Sequence, residues 1–498
     1  MKETKDYFLT IDQGTSGTKA LVFTRDGKLL TRHDEGHQQF YPNPGWVEHD
    51  PEEIYDNTVK AIHAVLKDTG ISSQQIICLS VSNQRETTLM WNKVTGKPVM
   101  NAVVWQCQRG EEICDELTKA GRAPEIKEKT GLVLSPYFSA AKACWIMDHC
   151  IDTDSSIRKE DILFGTVDSY LIWRLTGGRV HATEYSNASR TQLFNIHTLK
   201  WDAQLLEMFH LEISMMPEVL PSNSVFGETS HGLFDTPVAV AGVLGDSHAA
   251  FFAQNCFQTG MAKATYGTGS SVMMNIGTKP VESGSVVTSI GYSMDDEIVY
   301  VLEGNINSTG ATIKWLIDDI ELFDSPIEVS TLAASVPDTQ GVYLVPALTG
   351  LSAPHWNSEV RGVLTHLSRG TKKSHIARAA EESIVYQIMD VITVMREESG
   401  ITLRELRVDG GPTRDDFLMQ FQADIGEVPV VRTTIEELSA TGAMYMGALA
   451  CGIWKSLSDI EALREEQKTF SCAMTSEHRK MNYDGWKKAV RNLLHSQL

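Results

Sequence analysis

In the stretch Phe8 to Leu30, FLTIDQGTSGTKALVFTRDGKLL, the element after the Gly/Thr/Ser turn decides the fold class. Phe8, Leu9 and Ile11 read as a buried strand that delivers Asp12 to the start of that turn. A phosphate loop of the strand–loop–helix kind needs a helix next, yet Ala20-Leu21-Val22-Phe23 is a second strand. Arg25-Asp26-Gly27 is then a tight Asp-Gly hairpin turn, and Lys28-Leu29-Leu30 starts a third strand. Gly14, Thr15, Ser16, Gly17 and Thr18 therefore sit at a hairpin tip, where backbone N–H groups and hydroxyls can converge on an anion. Asp12 stands beside them, suited to holding a cation's water shell. Taken alone, the stretch is better read as an ordinary Gly-rich hairpin.

A second hairpin of the same make changes the balance. Ala264-Thr265-Tyr266-Gly267-Thr268-Gly269-Ser270-Ser271-Val272-Met273-Met274 is again strand, Gly/Thr turn, strand. Just before it, Pro237 to Gln254 reads as an apolar strand, a close turn at Gly242 and Gly245, Asp246 where the strand stops, and then a helix. A phosphate-type hairpin opening each half suggests a duplicated fold with two lobes and a cleft between them. The boundary falls near Phe252 to Gly260, which assigns residues 1–252 to the first lobe and 253–498 to the second.

Bulk properties agree with such a protein. At 498 residues the chain is too long for one ordinary core. Its 42% hydrophobic and 22% charged content is that of a globular protein. No apolar run approaches the roughly 18–20 residues of a membrane span, and Met1 to Asp6 does not resemble a signal peptide. A formal net charge of −20 disfavours a nucleic-acid or anionic-membrane partner. The eight cysteines show no CxxC and no metal-finger spacing, so they read as reduced residues of a cytoplasmic protein.

Along the chain, Asp50-Pro51-Glu52-Glu53 is a helix start with cap, first-turn proline and acids suited to the dipole, and Gly70 ends that helix. The strand Ile76 to Val81 runs into Ser82-Asn83-Gln84-Arg85-Glu86-Thr87. Arg85 and Glu86 at its carboxyl end are either ligand contacts or a solvated surface pair. Val103-Val104-Trp105-Gln106 repeats the pattern of an apolar strand ending in an aromatic and a polar residue. Ser135-Pro136-Tyr137-Phe138 opens a helix through Lys142 and Trp145, and Asn187 to Thr191 reads as a loop. Leu302-Glu303-Gly304 ends a strand, and Gly310-Ala311-Thr312 opens a helix through Trp315 to Ile320. Ile376 to Met395 is the longest clean helical pattern, closed by Gly400. Leu406 to Gly411 is a strand into a double-Gly turn, followed by a helix from Phe417 to Ile425. Small residues from Ala440 to Ala448 mark a close-packed helix.

Two acids at strand ends, two Thr/Gly hairpins and a late double-Gly turn suit nucleotide-dependent phosphoryl transfer across a cleft, where one acid manages the metal and the other accepts a hydroxyl proton. Several segments, in order, carry a family resemblance: Asp12-Gln13-Gly14-Thr15, Asn83-Gln84-Arg85-Glu86-Thr87, Val104-Trp105-Gln106-Cys107 and Gly165-Thr166-Val167-Asp168. Ser186-Asn187-Ala188-Ser189-Arg190-Thr191, Tyr266-Gly267-Thr268-Gly269 and Phe417-Leu418-Met419-Gln420-Phe421-Gln422 complete the set. Over essentially its whole length the chain resembles the FGGY carbohydrate kinases, nearest to their glycerol kinase branch. The resemblance implies an α/β, two-lobed actin-like ATPase fold, a ribonuclease-H-like duplication with an interlobe cleft. It also implies ATP and Mg2+ as cofactors, a small polyol or sugar as substrate, and a homodimer or higher homo-oligomer. By position it makes Arg85, Glu86, Trp105, Tyr137 and Asp246 the polyol contacts, with Asp246 the catalytic base. Thr15, Ser16, Lys19, Thr268, Gly310, Lys314, Gly411 and Asp415 then line the ATP site, and Asp12 holds the metal.

The departures from the family pattern are informative. Ser247 stands where glycerol kinases usually carry a Gln that touches glycerol, and Ser271 where they carry a pocket Phe. Both changes replace volume with a small hydroxyl, so a longer polyol or a ketose, such as erythritol or a pentulose, is an alternative substrate to glycerol; refilling by neighbouring side chains is the other outcome. On the nucleotide side, Lys19 replaces an Arg fork by a point charge and Asp415 replaces an Asn. Phe226 to Pro237 is short and has neither the inhibitory sugar-bisphosphate loop nor a phosphorylatable His loop; His231 there reads as a surface residue. From another class, actin filaments and heat-shock chaperones share the architecture, but neither needs a second polar pocket for a small molecule.

Overall fold

A computed structural model describes residues 5–463 and 468–495. Met1 to Thr4, most of the stretch read for a leader, lies outside the described residues. The first hairpin is β1 (Tyr7–Gln13) and β2 (Gly17–Thr24), with β3 (Leu29–Gly36) added antiparallel. Helix α1 (Pro51–Thr69) begins under the Asp50 cap and ends at left-handed Gly70, then β4 (Ile76–Asn83) returns parallel to β1. With β5 (Val225–Glu228) and β6 (Ala239–Gly245) the first sheet has the order β5-β6-β4-β1-β2-β3.

Helix α2 (Asp246–Ala253) leads to the second sheet. There the hairpin β7 (Met261–Tyr266) and β8 (Ser270–Gly277) is extended by β9 (Val287–Met294) and β10 (Glu297–Ile306). After α3 (Gly310–Asp318) and α4 (Lys373–Ser399), β11 (Glu405–Asp409) runs parallel to β7. Helix α5 (Asp416–Gly426), β12 (Val430–Arg432), α6 (Leu438–Ala450) and β13 (Lys468–Phe470) complete the order β9-β10-β8-β7-β11-β12-β13. In each sheet a hairpin is flanked on one side by an antiparallel strand and on the other by two parallel ones. The duplication expected from two short segments is thus a repeat of whole sheets.

The two tips match in detail. Gly14 N–H donates to the Gly17 carbonyl at 2.9 Å, and Gly267 N–H to the Gly269 carbonyl at 2.9 Å. A Cβ on Gly17 would stand 2.5 Å from the Glu35 carbonyl oxygen, and one on Gly269 2.4 Å from that of Ile306. Only glycine lets each tip lie so close to its neighbouring strand.

The lobes meet where α6 crosses α2. A Cβ on Gly442 would lie 1.9 Å from the Ala249 carbonyl oxygen, and one on Gly447 2.2 Å from Ser80 Oγ of β4. The small residues read as a close-packed helix are therefore the means by which α6, late in the chain, lies against the first sheet.

Several local readings need correction. The segment at Ser135–Phe138 is a turn, with Phe138 N–H donating to the Ser135 carbonyl at 3.3 Å, and its helix starts at Ser139; Lys142 Nζ holds the turn by taking the Pro136, Tyr137 and Phe138 carbonyls at 3.0, 2.6 and 2.8 Å. The strand before Trp105 is only Ala102–Val103. Tyr185–Ala188 forms one helical turn at the start of the expected loop, capped by Glu184. The strand read as ending at Gly304 continues to Ile306.

Candidate active site

The carboxyl ends of β1, β4 and β6 lie side by side, since Asp12 pairs with Ser82, Gln13 with Asn83, and Gly245 with Asn83 in register. That register brings together residues far apart in sequence. Asp12 is the penultimate residue of β1, Arg85 and Glu86 follow β4, and Asp246 is the first residue of α2 after β6.

Arg85 and Glu86 are buried at 6% and 2% exposure, which rules out the solvated surface pair. Arg85 forks onto Glu303 of β10, Nη1 to Oε2 at 3.0 Å and Nη2 to Oε1 at 2.9 Å, while its Nε faces Asp246 Oδ1 at 3.4 Å. Arg190 joins the cluster, donating from Nη1 to Glu303 Oε2 at 2.8 Å and from Nε to Glu86 Oε1 at 2.6 Å. Burial pushes the Glu303 carboxyl up, but the guanidiniums of Arg190 and Arg85 outweigh it and hold the group well below the usual carboxylate range. Glu86 has φ of 60°, a left-handed conformation that costs a non-glycine residue about 1–3 kcal/mol. Its carbonyl is held by Ser139 Oγ at 3.0 Å.

Trp105 is half-buried and donates from Nε1 to Thr15 Oγ1 at 3.0 Å, so the first hairpin tip is tied to the aromatic wall. Tyr137 meets Trp105 edge-on with ring centroids 5.5 Å apart, and burial raises its hydroxyl pKa. Arg85, Glu86, Trp105, Tyr137, Asp246 and both serines, Ser247 and Ser271, line one cavity of about 530 Å³. Neighbours have not refilled the space beside the serines, and the buried Ser271 Oγ has no hydrogen-bond partner.

A second, larger cavity of about 880 Å³ is lined by Asp12 and Lys19 from the first lobe and by Gly410, Gly411 and Arg414 from the second. It shares Asp246, Ser247, Thr265 and Ser271 with the first cavity, so the two spaces meet at Asp246. Lys19 lies opposite Asp12 across the hairpin, its Nζ 4.0 Å from Asp12 and 2.8 Å from Glu437. Glu437 also binds Arg32. Burial pushes the Asp12 carboxyl up to about 6; Lys19 lowers it and the charge of Asp246 raises it again. Two carboxylates, Asp12 and Asp246, thus line this cavity with Lys19 shared between Asp12 and Glu437, a donor set that fits a divalent cation.

The other residues expected on the nucleotide side are dispersed. Ser16 is exposed at the first tip. The second tip docks on the start of α3: Gly310 N–H donates to the Gly267 carbonyl at 3.0 Å and Ala311 N–H to that of Thr268 at 2.8 Å. Lys314, farther along α3, is 75% exposed, faces Asp318 at 4.0 Å and lines neither cavity. Asp415 caps α5 by accepting from Phe417 N at 2.8 Å, leaving a buried Oδ2 without a partner. Across from it on α4, burial and then the Asp415 charge push the Glu381 carboxyl up to about 8.

Sequence reasoning missed Arg190, Glu303, Glu381, Glu437 and the buried Lys263, whose Nζ donates to Thr265 Oγ1 at 2.9 Å. For Glu303 a signal existed, because a lone acid inside the apolar run Ile298 to Ile306 has to find a cation.

A duplicated sheet-and-hairpin fold, with a charged interlobe cleft opening onto a polar and aromatic cavity, defines a two-lobed kinase of the actin-like type. The chain belongs to the FGGY family of carbohydrate kinases: the N-terminal domain matches over residues 7–253 and the C-terminal domain over 262–451. It is 48% identical over 489 residues to glycerol kinase 1 of Thermotoga maritima, covering 98% of this chain and 99% of that protein. Glycerol kinase of Symbiobacterium thermophilum is 47% identical over 487 residues, covering 98% of each. Among solved structures, Plasmodium falciparum glycerol kinase with ADP superposes with a TM-score of 0.94 at 33% identity, over 99% of both chains. A xylulose kinase from Lactobacillus acidophilus, at 22% identity and a TM-score of 0.88, shares the fold over 98% of both chains.

Proposed function

We propose that this kinase transfers the γ-phosphoryl group of ATP to a terminal hydroxyl of a small polyol, glycerol foremost. The observation that carries this is the meeting of the two cavities at Asp246. A polyol held by Arg85, Glu86, Trp105 and Tyr137 presents a hydroxyl to the Asp246 carboxylate. As that oxygen bonds to phosphorus, Asp246 takes its proton, the phosphorus–oxygen bond to the β-phosphate breaks, and ADP leaves; the proton passes to solvent afterwards. Lys19, Arg32 and the N–H groups of the two tips take up charge on the phosphate oxygens. Thr15, Ser16, Thr268, Gly310, Gly411 and Asp415 are assigned to the nucleotide side by the family pattern, as is Lys314, although it lines neither cavity. When bound, Mg2+ beside Asp12 supplies neutralisation of phosphate charge.

The nearness of glycerol kinases in sequence supports glycerol, whereas the open space beside Ser247 and Ser271 supports a polyol with one or two more carbons. ADP production by purified protein against a panel of glycerol, erythritol, pentitols and pentuloses tests both. Turnover with none of them overturns the reading. A homo-oligomer, expected from the family resemblance alone, is tested by sedimentation velocity.

A further inference from the structure

We propose that Cys144, Asp148 and His210 form a binding site for a soft divalent cation such as zinc. Among the described residues they are the one group of three Cys, His, Asp or Glu side chains whose ligand atoms all lie within 4.8 Å of one another. Cys144 Sγ is 3.6 Å from both Asp148 Oδ2 and His210 Nδ1, and His210 Nδ1 is 2.8 Å from Asp148 Oδ1. A tetrahedral zinc with bonds of about 2.3 Å to sulfur and about 2.0–2.1 Å to nitrogen or oxygen sets its sulfur-containing edges near the two 3.6 Å separations. With Asp148 Oδ2 as the carboxylate ligand, the metal replaces the hydrogen bond that His210 Nδ1 makes with the other oxygen, Oδ1.

Local backbone favours the arrangement. Cys144 and Asp148 are four residues apart on one helix face, where the helix Ser139–Ile146 widens into the π-turn Met147–Ile151. His210 takes φ of 59° in the loop that brings its ring over them. The donor set of thiolate, imidazole and carboxylate suits zinc rather than magnesium or calcium. One thiolate and one carboxylate balance a dication, so binding leaves the site neutral. Asp148 and His210 are 34% and 58% exposed, which gives the cation an entry path and a solvent ligand in the fourth position.

The site is separate from the cleft and takes no part in phosphoryl transfer. It pins the end of the helix whose Lys142 grips the Tyr137 carbonyl, so occupancy stabilises that wall of the first lobe. Binding requires the Cys144 thiol to release its proton to solvent, so affinity falls as pH is lowered.

The test is titration of metal-free full-length protein with cobalt(II). The expected result is one equivalent with thiolate-to-cobalt charge-transfer absorption and the visible bands of a tetrahedral ion, both removed by zinc. Cys144→Ser should abolish the charge-transfer band and the thermal stabilisation by zinc while kinase turnover is retained. Cys472→Ser, at an exposed thiol elsewhere, should change neither. His210→Asn, at an exposed position whose left-handed backbone Asn tolerates, should weaken cobalt binding at least as much as losing an outer-shell partner does, about 10–100-fold. Absence of the charge-transfer band in the wild type, its survival in Cys144→Ser, or unchanged affinity in His210→Asn would overturn the proposal.

Discussion

Asp246 is held so that its carboxylate is oriented without being neutralised outright: Arg85 Nε lies 3.4 Å away, while the Arg85 fork is spent on Glu303. Asp246→Asn keeps the shape and removes the proton acceptor, so kcat should fall by about 10²–10⁴-fold with nucleotide affinity nearly unchanged. A coupled assay and a nucleotide titration check both halves, and retained turnover at saturating polyol would remove Asp246 from the role of base. The two serines, which line the smaller cavity, are the test of specificity. Filling their space with Ser247→Gln plus Ser271→Phe should raise kcat/KM for glycerol relative to four- and five-carbon polyols, with each single change smaller and in the same direction. If the wild type already prefers glycerol strongly and the pair only lowers activity, the enlarged pocket is irrelevant to selection. Glu381 gives a pH signature. Its folded carboxyl sits at about 8 against an ordinary 4.5, so the native state keeps a proton that the unfolded chain releases over that window. Stability therefore falls as pH rises from 4.5 to 8, with each unit of displacement equivalent to about 1.4 kcal/mol. Glu381→Gln should flatten this slope in urea melts at pH 5, 6, 7 and 8, and an unchanged slope would show that Glu381 does not titrate in that range.

Among the elements, the crossing of α6 over α2 has the least tolerance. Helical glycine ordinarily lowers stability by about 1 kcal/mol relative to alanine, so Gly442→Ala would strengthen an isolated helix. Here the added methyl meets the Ala249 backbone at 1.9 Å, and overpacking of this kind costs about 1–3 kcal/mol. The net expectation is a lower urea midpoint, together with a loss of activity beyond what the stability change explains, because α2 begins at Asp246. A midpoint equal to or above wild type would mean that the helices separate freely at this point.

For the whole molecule, the connections between the lobes include the α2–α6 crossing and the buried Arg85, Arg190 and Glu303 cluster. The larger cavity lies between parts of both lobes, with Lys19 and Arg32 of the first already reaching Glu437 of the second. Filling it with an ATP analogue and a polyol should draw the hairpin tips together and exclude water from a group that would otherwise be hydrolysed. Small-angle scattering should record a smaller radius of gyration with both ligands bound than with neither. An unchanged radius would place substrate enclosure in side-chain and loop motion.

From sequence alone, the local elements were legible because their signals are local. Asp50-Pro51 and Gly70 bound α1, Gly400 ends α4, and the Asp26-Gly27 turn comes directly after β2, so the first Gly/Thr stretch has to be a hairpin tip. Strand-end acids and the order of motifs also singled out Arg85, Glu86, Trp105, Tyr137 and Asp246, which the structure brings to one cavity, a convergence that needs only that their strands be neighbours. Sheet order and burial were decided by tertiary structure. Nothing near Arg85 in the chain says that its partner is Glu303, or that a late helix packs on the first sheet through Gly442 and Gly447. A charged side chain's burial and a glycine's close contact are set by atoms hundreds of residues away, and a single sequence does not carry those distances.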